Sequence, residues 1–165
     1  MTTSVVCEGD RDSPTVLVLD PAPQTDHGEL PRAWRELSER RRIVWCRLAA
    51  AEALAEADRL LADPDALGRP IDVVTGPGAD ERVQALLNRH AGPVRALLLV
   101  DPARQDWVGE AALGITVRTV GSAGKAGRTA RPLHRADVRT DVESAIAELD
   151  ADSALPAPDK AQGGA

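Results

Sequence analysis

The feature that most constrains the fold is a regular alternation of short apolar runs with longer amphipathic segments. The apolar runs are rich in Val, Leu and Ile, which is typical of strands that are buried on both faces. The segments between them carry apolar residues at spacings of three and four, which is typical of helices that cover a sheet. The runs are TVLVL at 15–19, IVWCRL at 43–48, IDVVT at 71–75, VRALLLV at 94–100 and ITVRTV at 115–120.

Strands that alternate with helices form a mainly parallel sheet with helices on both faces. We therefore predict an α/β fold, a three-layer sandwich around a mainly parallel sheet of about five strands. The 165 residues fit one such domain, which we place at 14–150. The polar residues 1–13 are predicted to be a flexible N-terminus, and the Pro- and Gly-containing residues 151–165 a disordered tail.

The core of this domain has an unusual composition, because the chain contains no Phe and no Tyr. Its interior must be built from Val, Leu, Ile and Ala. Trp34, Trp45 and Trp107 are the only large rings available to it.

Charge and cysteine content exclude several classes of protein. The net charge of −6 and the pI of about 5.1 argue against a nucleic-acid-binding role. Cys7 and Cys46 are too few and too far apart to indicate a metal site or a disulfide framework, so we expect free thiols in a reducing cytoplasm. No apolar run approaches the roughly 20 residues that cross a membrane. We expect a cytoplasmic protein with no cofactor and no membrane partner.

Four segments, taken in order, resemble the α/β-hydrolase superfamily. They are VLVL before a proline loop, WRELSERRRIV, IDVVTGPGAD and VRALLLVDPA, within a match of pattern over residues 14–150. The resemblance implies a strand order of 2-1-3-4-5, counted along the chain. Family members carry a lid insertion after the sixth strand of the family, and 101–114 is too short for a substantial one. We therefore predict a core that resembles the family's but has no lid.

The same resemblance shows where catalytic groups are missing. Pro77 stands where the family has its nucleophilic serine, and proline carries no hydroxyl, thiol or carboxylate. Asp20-Pro21 replaces the oxyanion loop, which places a carboxylate where negative charge should develop and removes an N–H donor. His134 lies close to the position of the catalytic histidine, but no Asp or Glu occurs at 121–124 to orient it. The chain resembles a truncated, degenerate member of the family.

The resemblance implies a candidate ligand site in the crevice of a doubly wound sheet, between the first and third strands. The Gly-Pro-Gly turn at 76–78 is predicted to precede a helix, and the N–H groups at the start of a helix can donate hydrogen bonds to an anion. A plain structural turn is the alternative. The candidate ligand-binding residues are Gly76, Gly78, Ala79, Asp20 and His27.

A second candidate site is the basic segment Gly121–Arg139, which has a local net charge of +4 from five basic residues and Asp137. Such asymmetry can mark a surface that binds an acidic protein or a phosphate, and a flexible solvated loop is the alternative. The candidate anion- or partner-binding residues are Lys125, Arg128, Arg131 and Arg135. Asp26, His27 and Glu29 match no metal-ligand spacing, so no metal is predicted.

Three functional hypotheses follow. The first is a non-catalytic, hydrolase-like domain that binds a small molecule or a protein. The second is a hydrolase acting on an ester or related acyl substrate through unassigned residues, with His134 and Asp20 as candidate participants. The third is a degenerate product without a selected function.

Overall fold

The computed structural model describes residues 5–21, 30–63, 65–76, 81–101, 115–121 and 131–154. They form a sheet of six strands with helices packed against it, which confirms the predicted α/β class. The strands are β1 (Val5–Glu8), β2 (Thr15–Asp20), β3 (Arg42–Arg47), β4 (Ile71–Thr75), β5 (Val94–Val100) and β6 (Thr116–Val120). The helices are α1 (Arg32–Arg35), α2 (Ala51–Ala62), α3 (Glu81–Arg89) and α4 (Ala136–Ala154), and a 3₁₀ turn covers Leu37–Glu39.

The strands lie in the order β1-β3-β2-β4-β5-β6. The neighbouring strands from β3 to β6 pair in parallel, whereas β1 pairs antiparallel with β3. The predicted sheet of about five mainly parallel strands is therefore corrected to a mixed sheet of six. Hydrophobic periodicity does not predict β1, because the strand is only four residues long and lies among polar residues.

Regular elements occur within both of the predicted end segments. The N-terminal segment 1–13, expected to be flexible, contains β1, which uses the open edge of β3. The tail 151–165, expected to be disordered, begins inside α4, which continues to Ala154. Asp152 there accepts a hydrogen bond from Arg118 Nη2 on β6 at 3.0 Å, so the last turn of α4 is anchored to the sheet.

Alternate residues of β2 build two separate cores. Leu17 and Leu19 point to one side of the sheet, where they pack with α2 and α3; we call this the α2–α3 face. Val16 and Val18 point to the other side, where they pack with α1 and α4; we call this the α1–α4 face. All four side chains are fully buried, as expected for a central strand covered on both sides.

The two described tryptophans pack together on the α1–α4 face. The rings of Trp34 and Trp45 meet edge to face, with centroids 5.1 Å apart and an angle of 74° between their planes. Trp34 Nε1 donates a hydrogen bond of 2.8 Å to the carbonyl oxygen of Leu133, which precedes α4. Trp34 thus links α1 to the segment that leads into α4. Trp107 lies outside the described residues.

One carboxylate inside the sheet is neutralised by an arginine. Asp72 on β4 is fully buried, and Arg95 on β5 donates to its two oxygens at 2.9 and 2.7 Å. Arg95 also lies 3.0 Å from Asp150 on α4. A bidentate arginine of this kind compensates the cost of burying a carboxylate and ties β4, β5 and α4 together.

A truncation on β2 tests whether the two cores form one cooperative unit. We expect Leu17→Ala to lower the free energy of unfolding by about 2–5 kcal/mol, because it opens a cavity in the middle of the sheet. Urea denaturation followed by circular dichroism measures this change. The half-exposed Leu60→Ala on α2 is the matched control and should cost less. A broad, non-cooperative wild-type transition would contradict the expectation and favour a degenerate product.

Candidate functional site

Buried charges collect where β2, β3 and β5 end. Asp20 ends β2, Arg47 ends β3 and Asp101 follows β5, and these residues are only 8%, 5% and 4% exposed. Because these strands run parallel, their carboxyl ends meet along one border of the sheet, which we call the carboxyl edge. Within the described part of the chain, Asp72 is the one other charged residue buried to this degree. Charged groups that are withdrawn from water at such a border mark a candidate functional site.

The topology places a crevice at this edge. The chain passes from β2 to β3 on one side and then crosses to β4 on the other, so β2 and β4 are the strands between which the direction of winding changes. Ligands of open α/β sheets bind outside the carboxyl ends of such a strand pair. Asp20 and Gly76 lie at these two ends, and Asp20 is in register with Arg47.

The turn after β4 is held from both sides. Thr75 Oγ1 donates a hydrogen bond of 2.8 Å to the carbonyl oxygen of Leu19 on β2. A Cβ atom at Gly76 would lie 3.3 Å from Leu133 Cδ2, so the absence of a side chain lets Leu133 pack directly over the turn. The packing of Leu133 therefore explains why residue 76 is a glycine, without any role in binding a ligand.

The other predicted crevice residues lie outside the described residues. They are His27, Gly78 and Ala79, and Pro77, at the position implied for the nucleophile, also lies outside them.

A shallow depression lies on the α2–α3 face near the same edge. It is bounded by the residue after β3, the first half of α2 and the start of α3. Its lining is apolar except for one arginine. The lining residues are Leu48, Ala51, Leu54, Arg82 and Val83.

An arginine clamp closes the carboxyl edge beside β5 and β6. Arg131 donates to both oxygens of Asp101, from Nε at 2.8 Å and from Nη2 at 3.0 Å, and its backbone N–H adds a bond of 2.9 Å. Its Nη1 lies 2.9 Å from Asp141 and 3.3 Å from Asp137 on α4. We call these four residues the Arg131 clamp. It joins the end of β5 to the first turns of α4.

The backbone around the clamp is adapted to it. Asp101 has a φ of 43° and Gly121 a φ of 73°, both in the left-handed region. A Cβ atom on Gly121 would lie 2.1 Å from Asp101 Oδ1 and 2.6 Å from Arg131 Nη2. Glycine at the end of β6 is thus required both by the backbone angle and by the space that the clamp occupies.

The clamp changes the interpretation of the predicted anion site. Arg131 already binds three carboxylates, and Arg135 donates to both oxygens of Asp137 at 3.0 and 3.2 Å. Arg131 is therefore compensated within the protein, whereas Arg135 forms its ion pair at the exposed surface. The sequence pattern could not show the bond to Asp101, because that residue lies 30 positions before Arg131 along the chain. Lys125 and Arg128 lie outside the described residues.

His134 lacks the surroundings of a catalytic histidine. It is exposed in the loop before α4. No carboxylate in the described ranges lies within hydrogen-bonding distance of its ring, whereas a catalytic histidine needs such a group to fix its orientation.

Two residues of the edge, Arg47 and Asp101, were missed by the sequence analysis. Each closes or directly follows an apolar strand, as Asp20 does. A charged residue in that position is the signal that could have found them, because parallel strands bring such positions together.

Comparisons with known proteins give no match: no family model, no curated protein and no solved structure is similar to the chain. The described residues contain no group of three or more His, Cys, Asp or Glu side chains that could hold a metal ion. Among the helices that the structure describes, none is long and apolar enough to cross a bilayer.

A substitution at Gly121 tests the clamp. We expect Gly121→Ala to destabilise the fold by about 2 kcal/mol or more, because the new Cβ disfavours the left-handed backbone and meets Asp101. Gly92→Ala is the matched control, since a Cβ there has no neighbour within 4 Å. Thermal unfolding of both variants measures the difference. Equal melting temperatures would contradict the packing described for the clamp.

The clamp also predicts a pH dependence of stability. The side-chain hydrogen bonds from Arg131 hold the pKa of Asp101 below its ordinary value of 3.8, although burial opposes them. As the pH falls, the unfolded chain therefore takes up the proton first, and the stabilisation from Asp101 is lost below about pH 4. We expect the stability difference between wild type and Asp101→Asn, measured by urea denaturation from pH 7 to pH 3, to shrink in this range. A difference that is constant with pH would contradict the assignment.

Proposed function

We propose that this chain is a non-catalytic, α/β-hydrolase-like domain that binds a small molecule at the carboxyl edge, in the crevice between β2 and β4. The observation that carries the proposal is the buried pair of oppositely charged residues, Asp20 and Arg47, in register at the ends of two strands beside that crevice. We expect this domain to act in the cytoplasm.

Binding without catalysis is favoured by the chemistry of the edge. Pro77, in the position of the nucleophile, offers no group that could attack a carbonyl. His134 is exposed and has no carboxylate partner among the described residues. Arg47 and Asp20, which already have interaction partners within the protein, are buried polar groups at the border of the crevice, and groups of this kind give a pocket its specificity.

A small molecule is favoured over an acidic protein as the partner. The acidic-protein hypothesis depends on four basic residues, and two of them, Arg131 and Arg135, are engaged with carboxylates of the same chain. The other two, Lys125 and Arg128, lie outside the described residues.

Ester hydrolysis separates binding from catalysis. Purified protein should hydrolyse short- and medium-chain p-nitrophenyl esters no faster than the same protein after heat denaturation. The His134→Ala variant should behave identically. Saturable turnover by the wild type that is lost in His134→Ala would overturn the proposal and favour the hydrolase hypothesis.

Ligand mapping tests where binding occurs. A library of small polar molecules is screened by thermal shift, because a ligand that binds only the folded state raises the melting temperature. Hits should perturb backbone amide resonances of Asp20, Leu48 and Gly76. They should bind at least about tenfold more weakly to Asp20→Asn, a loss of about 1.4 kcal/mol, and unchanged to the exposed control Asp12→Asn. Hits that map away from the carboxyl edge would contradict the proposed site.

A further inference from the structure

The only two cysteines of the chain, which lie 39 positions apart in the sequence, meet at one edge of the sheet. In the antiparallel pairing of β1 with β3, Cys7 is opposite Val44 and Val5 is opposite Cys46. Val5, Val44 and Cys46 all pack on the α2–α3 face. Cys7 lies two residues from Val5 and therefore shares this face. The two thiols are diagonal neighbours across adjacent strands.

In this register the thiols are close but not bonded, and both are free. Diagonal neighbours on antiparallel strands are about 7–8 Å apart, whereas a disulfide requires Cα atoms within about 4.4–6.8 Å. A shift of β1 by two residues would bring Cys7 directly opposite Cys46, where the separation of about 4.5–5.5 Å fits a disulfide. A shift by two also keeps every side chain on its own face of the sheet.

β1 is the strand best placed to make such a shift. Within the described residues it is four residues long, lies at the end of the sheet and pairs only with β3. A two-residue shift moves it by about 7 Å. The connection to β2 is folded into a turn, where Ser13 N donates to the Asp10 carbonyl at 3.1 Å and Asp12 N to Asp10 Oδ1 at 2.9 Å. Opening this turn would break those two hydrogen bonds and the close backbone contact of Gly9 with Arg41.

We propose that Cys7 and Cys46 form a dithiol switch, which a low-molecular-weight disulfide oxidises to an intramolecular disulfide through a two-residue shift of β1 along β3. The oxidised form would hold β1 in the shifted register, and a reducing thiol would release it.

The roles of the two thiols follow from their exposure. Cys7 is exposed and lies beside the Arg42 guanidinium, which opposes the increase that burial causes in the pKa of the thiol. Cys46 is fully buried, and burial raises its pKa to about 12. Cys7 is therefore the thiol that reacts with an external disulfide. Cys46 becomes reactive when β1 moves, because Val5 then no longer covers it.

The chemistry balances in two exchanges. The Cys7 thiolate attacks one sulfur of the small disulfide, whose S–S bond breaks and releases one thiolate, which takes up the proton from Cys7. Cys46 then loses its proton and attacks Cys7 Sγ, and the bond from Cys7 to the small thiol breaks as the second thiol leaves with that proton. Two protein thiols are oxidised, and one small disulfide is reduced to two thiols.

The experiment exposes the folded, full-length protein to oxidised glutathione, quenches it by alkylation and measures intact and peptide masses over time. We expect loss of two hydrogens and a peptide that links Cys7 to Cys46. Cys46→Ser should stop at a mixed disulfide on Cys7, and Cys7→Ser should hardly react. A stable glutathione adduct on Cys7 in the wild type, with no internal disulfide, would overturn the proposal.

A second pair of variants tests the strand shift itself. Val5→Cys combined with Cys7→Ser places a thiol opposite Cys46 in the present register, so its disulfide should close at least about tenfold faster than the natural pair. Equal rates would show that no shift is needed and would overturn that part of the mechanism.

Global unfolding is a competing route to the same disulfide, and a remote destabilising variant distinguishes it. Val138→Ala on α4 weakens the core on the opposite face of the sheet. A local shift of β1 leaves the rate of disulfide closure within about twofold of wild type, because β1 opens independently of the global transition. A rate that rises in proportion to the loss of global stability would overturn the proposal.

Discussion

Burial of β2 on both faces is the constraint on which the rest of the structure depends. Its four central residues alternate between two helical layers, and each layer must cover an apolar surface that contains no Phe or Tyr. Branched and small aliphatic side chains fill this space, and Trp34 and Trp45 add bulk on the α1–α4 face. Because β2 also pairs with β3 and β4, its position fixes where these strands end, and hence where the crevice lies.

The charged residues are distributed according to that burial. Asp72 inside the sheet and Asp101 at its border each receive a bidentate arginine, since an uncompensated carboxylate there would be costly. Arg131 spends its donors on this task and so is removed from the set of residues that could bind an external anion. Asp20 and Arg47 are also buried at this edge, and each already has an interaction partner within the protein. Structural charges and candidate recognition charges therefore lie side by side on the same edge.

The sequence predicted the α/β class because apolar runs and amphipathic segments are strong, local signals. It missed β1, whose four residues are too few to show a period, and it ended α4 too early, since ion pairs such as Arg118–Asp152 join residues distant along the chain. The same reason explains the Arg131 clamp, because its main carboxylate, Asp101, is brought to the basic run only by the fold. Of the candidate site, Asp20 and Gly76 were placed from sequence, whereas Arg47 needed the register of β3.

The edge-to-face pair of Trp34 and Trp45 has an optical consequence. With no tyrosine in the chain, near-ultraviolet absorption and emission come almost entirely from indole rings. Two of these rings are held at a fixed angle in one layer, so their coupled transitions form a chiral chromophore that exists only while α1 rests on β3. A circular dichroism spectrum near 290 nm would therefore follow the docking of a single layer, separately from the secondary structure of the whole chain.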